Sequence, residues 1–173
     1  MDTHEVNGYA LIAEAFCYPA PGRAERLAAG LAELPDSAEK KALASFLKKV
    51  RLLSLGDWEE LHTRTLDLNP PVAPYIGFQT WGESYQRGVF LSQLNRAMYE
   101  AGIDLEGELP DHLIPILRYL GAVAEPLPEL VEVLHPAVQR MLVVLRKAEP
   151  DNPYIDLLEA VQAVCRSLNK EAA

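Results

Sequence analysis

The chain has 173 residues, 49% hydrophobic and 24% charged, a balance that suits one globular domain of ordinary size and excludes a disordered chain. Sixteen Lys and Arg stand against 25 Asp and Glu, a formal net charge of −9 at pH 7. Phosphate backbones and anionic lipid repel such a protein, so nucleic acid and membrane surfaces are poor partners and a segment with a positive end is a better one.

Apolar residues recur at helical spacing almost throughout, with no strand alternation. Val6, Tyr9, Ala10, Ala13 and Phe16 share one face of a first helix, which Pro19, Pro21 and Gly22 end. A second helix is predicted from about Arg23 to Leu34, before Pro35. A third, capped by Asp36 or Ser37, buries Leu43, Phe46, Leu47, Val50 and Leu53. After Gly56, Asp57 and Glu60 have capping-box spacing for a short fourth helix to about Leu66. From Asp67 to Thr80, Pro70, Pro71 and Pro74 preclude a regular helix, and so long a connection in a compact domain often carries function.

A fifth helix is predicted from about Gly82 to Ala101, with Gly102 just past its end. Pro110 and Asp111 open a sixth, with Leu113, Ile116, Leu117 and Leu120 inward and Pro115 tolerated in the first turn. The seventh carries Leu130, Val133, Leu134, Val138, Met141, Leu142 and Leu145, and Pro136 is expected to kink it. Beyond Pro150 and Pro153, a last helix has Ile155, Leu158, Val161, Val164 and Leu168 at helical spacing. The expected fold is all-α: residues 1–173 form a single compact bundle of about seven or eight helices, mostly antiparallel neighbours.

Cys17 and Cys165 do not make a metal site or a disulfide framework, and each reads as a small buried hydrophobe. The first residues, Met1 to Glu5, lack the positive start of a signal peptide. No apolar run reaches the roughly 18 residues of a membrane span. These features point to a soluble, reduced, cytoplasmic protein. His4, His62, His112 and His135 are scattered, and the chain has neither a phosphate loop nor a nucleophile elbow, so no metal or catalytic site is predicted.

The informative stretch is aromatic. Tyr75, Phe78, Trp81, Tyr85 and Phe90 fall in a short window, though aromatics are only 8% of the chain. Either they pack as a loop closed over the bundle, or they wall a groove for a peptide. Glu83 and Arg87, four apart, read as a surface ion pair. Pro110-Asp111-His112 makes a polar corner at a helix start. Asp111 reads as a cap whose carboxylate is also able to accept from an arginine or a backbone amide of a bound peptide.

Four blocks carry a family likeness: Tyr18-Pro19 after the first helix, Asp67-Leu68-Asn69-Pro70-Pro71, Trp81-Gly82-Glu83-Ser84-Tyr85-Gln86-Arg87-Gly88, and Glu108-Leu109-Pro110-Asp111-His112-Leu113 with Leu117-Arg118-Tyr119-Leu120 after it. In order and spacing the chain resembles the NarJ branch of the NarJ/TorD/DmsD redox-enzyme maturation chaperones. The resemblance implies a TorD-like, all-helical cytoplasmic chaperone without catalytic activity. Such proteins bind the N-terminal peptide, twin-arginine-type or its remnant, of the apo catalytic subunit of a molybdopterin-dependent oxidoreductase. They assist insertion of the molybdenum cofactor before membrane docking or export, and hold no cofactor stably themselves. The branch points to a nitrate-reductase-like client.

Carried over by position, the peptide site comprises Trp81, Glu83, Tyr85, Pro110, Asp111 and His112, and Tyr75 and Phe78 join it from their place in the loop. In that role Asp111→Ala is expected to impair client activation and spare the fold. The alternatives are a small helical hydrolase using Asp111 and His112 as a base pair, and a non-catalytic helical scaffold.

Overall fold

The structure is a computed structural model and describes residues 7–171. Val6 and His4 lie outside the described residues. Within them the chain is helical, without strands: α1 (Gly8–Phe16), α2 (Arg23–Glu33), α3 (Ala38–Val50), α4 (Leu55–His62), α5 (Ile76–Trp81), α6 (Tyr85–Glu100), α7 (Leu113–Ala122), α8 (Pro128–Ala148) and α9 (Tyr154–Glu171). A π-turn at Thr63–Asp67 and a 3₁₀ turn at Pro70–Val72 join α4 to α5.

Side-chain caps start several of these helices. Asn7 Oδ1 accepts from the Ala10 N–H at 2.7 Å and Ser37 Oγ from the Lys40 N–H at 3.2 Å. The cap of α4 is Ser54, whose Oγ accepts from the Asp57 N–H at 3.1 Å, and not the expected Asp57. The helix therefore begins earlier, and Asp57 sits in its first turn, where a negative charge suits the helix dipole.

The proline-rich connection is less irregular than its composition predicts. Pro74 constrains its own φ and the residue before it but nothing after it, so a helix is free to start at Ile76. That short α5 lies almost wholly within the 67–80 stretch expected to be irregular, ahead of the predicted fifth helix. Gly82 takes φ +65°, left-handed backbone that breaks the run, and α6 begins after Ser84. By contrast, α8 continues as one helix through Pro136.

The packing is organised around α9, which lies against α3 and α8, while α1 packs on α7 and also touches α9. Ile12, Phe46, Leu142, Leu158 and Val161 are buried between these helices, and each such side chain contributes about 1.5–3 kcal/mol through its burial. Tyr154 is fully buried, with its ring edge-on to Phe46 and its hydroxyl accepting from Trp58 Nε1 at 3.2 Å. Cys165 is buried and its thiol is pushed up to about 12, chiefly by desolvation. Cys17 is half-buried and its thiol is also raised. α6 is the peripheral helix. It packs mainly on α5, buries Phe90, Leu94 and Met98, and exposes Tyr85, Val89 and Tyr99. No helix among the described residues is long and apolar enough to cross a membrane.

Candidate functional site

Two segments far apart in sequence meet through their main chains. The Ile76 N–H donates to the Asp111 carbonyl at 2.8 Å and the Leu113 N–H donates to the Pro74 carbonyl at 2.8 Å. Tyr75 and His112 thereby face each other as an isolated antiparallel bridge. Both are extended residues immediately before a helix, and the bonds across come from the residues that flank them, while the Tyr75 N–H donates to the Ala73 carbonyl and the His112 N–H to the Leu109 carbonyl. Their rings meet edge to face at 5.0 Å, and the Tyr75 hydroxyl donates to Glu108 Oε1 at 2.9 Å. The middle stretch and the later turn thus form one corner.

The roles within that corner differ from the sequence reading in two ways. Asp111 does not cap α7. His112 does, its Nδ1 accepting from the Ile114 N–H at 3.0 Å. Nδ1 therefore carries the lone pair and Nε2 the hydrogen. Asp111 is fully buried, and its carboxylate takes two hydrogen bonds from Arg87, Nε to Oδ2 at 3.0 Å and Nη2 to Oδ1 at 3.3 Å.

Arg87 is likewise not the surface partner of Glu83. A fully buried carboxylate without a counter-charge is far costlier than an exposed one, so the guanidinium is drawn inward. Its central carbon lies 5.8 Å from the centre of the Tyr75 ring and 5.6 Å from that of Phe78. Gly77 makes this possible. A Cβ there would stand 2.7 Å from Asp111 Oδ2, 3.1 Å from Phe90 Cδ1 and 3.2 Å from Arg87 Cγ.

The remaining predicted residues take three kinds of position. Phe78 is half-buried against Arg87. Trp81 is half-buried, its ring edge-on to buried Phe90 at 5.0 Å, and Pro110 is buried behind the corner. Glu83 and Tyr85 are exposed on the far side of Gly82, Tyr85 at 88%. The structure therefore joins Tyr75, Phe78, Asp111 and His112 directly, places Trp81 and Pro110 as supports, and leaves Glu83 and Tyr85 outside the network. Sequence reasoning passed over Arg87, Glu108 and Gly77 as members. Gly77 carried no signal, since glycine is ordinary in a stretch read as an irregular connection.

The field in the corner is negative at its rim. The Tyr75 phenol is pushed up to about 12 by desolvation, by its hydrogen bond to Glu108, and by the charges of Glu108, Asp111 and Asp67. The His112 imidazole is held below its ordinary 6.5, chiefly by burial. Glu108, Asp111 and Asp67 oppose that shift, and His62 reinforces it. Asp67, at the end of the π-turn, also reaches His62: Oδ2 lies 3.8 Å from Nδ1, while His62 Nε2 is 3.1 Å from the Phe16 carbonyl. Tyr18 stands edge-on over His62 at 5.2 Å.

Rings, carboxylates and a fixed main chain suit a cationic side chain with apolar neighbours. No group of three or more metal-ligating side chains occurs among the described residues. The hydrogen bonds of Asp111 and His112 go to different partners, Arg87 and Ile114, so the two do not form a mutual pair. A cleft of about 670 Å³ lies elsewhere, among Leu52, Leu53, Asp57, Glu60, Arg64 and Glu149. No protein-family model matches the chain, and no curated protein matches it.

Proposed function

We propose that this protein is a NarJ-type cytoplasmic chaperone that binds the N-terminal peptide of a molybdoenzyme catalytic subunit and assists its assembly before docking or export. The observation that carries the reading is the bridge between Tyr75 and His112. Through it Pro74 to Ile76, which lie between the likeness blocks, are bonded to Asp111 and Leu113 of the Glu108–Leu113 block, and Arg87 of the Trp81–Gly88 block is bonded to Asp111 in the same acidic, aromatic corner. A leader that combines arginines with an apolar stretch matches such a corner in charge and in shape of contact. Charge complementarity mainly speeds encounter and sharpens selectivity, so binding is expected to weaken as salt rises.

Titration calorimetry of the full chain against leader peptides from molybdoenzymes encoded beside its gene tests the reading. Binding that weakens between low and high salt supports it. Absence of binding to every such leader overturns it.

A further inference from the structure

The corner has the form of a cage for a guanidinium, and the chain's own Arg87 fills it. Three features select that group over an ammonium. Asp111 offers both carboxylate oxygens, at 3.0 and 3.3 Å, a two-point fork that a planar guanidinium matches and an ammonium does not. The rings of Tyr75 and Phe78 lie within cation–π distance of its central carbon. Gly77 clears the space, since any side chain there would strike Asp111 Oδ2.

The arginine in the cage is carried on a weak support. Arg87 belongs to the first turn of α6, and the cap of that turn is long: the Arg87 N–H reaches Ser84 Oγ at 3.4 Å. Gly82 and Gly88 flank the turn with open space about both. Tyr85, Gln86, Gly88 and Val89 are exposed, and the buried stripe of α6 starts at Phe90. The Arg87 side chain is thus the main tie between this turn and the bundle. A turn so sparsely held opens at lower cost than the packed helices. The other wall is fixed, because the Asp111 carbonyl and the Leu113 N–H are both bonded across to the Pro74–Ile76 segment.

We propose that the cage is an arginine subsite held shut by Arg87. An arginine of a bound peptide takes the place of Arg87 on Asp111, between Tyr75 and Phe78, as the first turn of α6 swings away. This rests on the reading that a peptide binds at the corner. Exchange of one guanidinium for another keeps Asp111 paired throughout, and Arg87 regains water as the incoming group loses its own. A lysine provides neither the fork nor the stacking, so the subsite selects arginine over lysine.

The test uses two variants of the full chain. Arg87→Ala empties the cage. Millimolar methylguanidinium is expected to raise its melting temperature, or to restore its helical signal if the empty cage unfolds it, and to leave the wild type unmoved. Methylammonium at the same concentration is expected to do neither. Arg87→Lys keeps a charge on Asp111 and loses the fork. A short synthetic peptide with paired arginines ahead of an apolar stretch is expected to bind Arg87→Lys about tenfold more tightly than wild type, because a closed latch lowers apparent affinity by the fraction of molecules it closes. That gain is expected to vanish when lysines replace the peptide arginines. Methylguanidinium acting equally on Arg87→Ala and wild type overturns the proposal. So does a peptide that binds wild type and Arg87→Lys alike, a result that leaves the chaperone reading standing. A peptide that binds neither protein overturns both.

Discussion

Asp111→Ala removes a carboxylate on a side chain with no solvent exposure and leaves Arg87, whose side chain is 15% exposed, without its counter-charge. Breaking a buried ion pair from one side costs about 3–5 kcal/mol, because the surviving charge stays desolvated. Arg87 lies at the margin and is able to turn partly to water, which places the cost at the lower end, about 3 kcal/mol. The main-chain bond from Ile76 to the residue 111 carbonyl persists in the variant. At roughly 2–4 °C per kcal/mol for a chain of this size, melting is expected to fall by about 6–12 °C. A helix cap at this position would cost about 1 kcal/mol, or about 2–4 °C.

Thermal and urea melts followed by circular dichroism separate the two. The structure thus reverses the sequence-based expectation that Asp111→Ala spares the fold. The double variant Asp111→Ala/Arg87→Met is expected to lose less than the sum of its single variants, since removing both partners leaves no orphan charge. A single-variant loss near 1 kcal/mol, or strict additivity, refutes the reasoning.

Two further predictions concern the same corner. Gly77→Ala in an ordinary helix adds about 1 kcal/mol of stability, yet here the added methyl stands 2.7 Å from Asp111 Oδ2, so urea melts are expected to show a loss. His112, held below 6.5 in the folded protein, binds its proton more weakly than in the unfolded chain. Its contribution is therefore fully present above pH 6.5 and is lost as pH falls through the lower, folded value. Protonation also removes the lone pair that caps Ile114. His112→Asn keeps a good cap without the titration, so its stability, measured by urea melts from pH 7.5 down to about 5, is expected to fall less steeply than that of wild type.

The helices were legible in the sequence because helix formation and amphipathic burial are local. The stripe of α3, Leu43, Phe46, Leu47 and Val50, is buried as its spacing predicts, and so are Leu158, Val161 and Val164 of α9. Local rules failed where a polar group chose its partner across space. Spacing of four couples Arg87 to Glu83, whereas the structure couples it to Asp111, because a fully buried carboxylate gains far more from a cation than an exposed one does. The same competition left the cap of α7 to His112 once Asp111 was buried with Arg87, whereas the shift from Asp57 to Ser54 is local, a cap three residues earlier.

From sequence alone came the helical class, most element ends, and the blocks with the family likeness, among them Trp81–Gly88 and Glu108–Leu113. Only the tertiary structure brought those blocks into contact and decided which charge is buried with which. Apolar periodicity is written along the chain, but the cost of a buried charge depends on the company that folding brings to it.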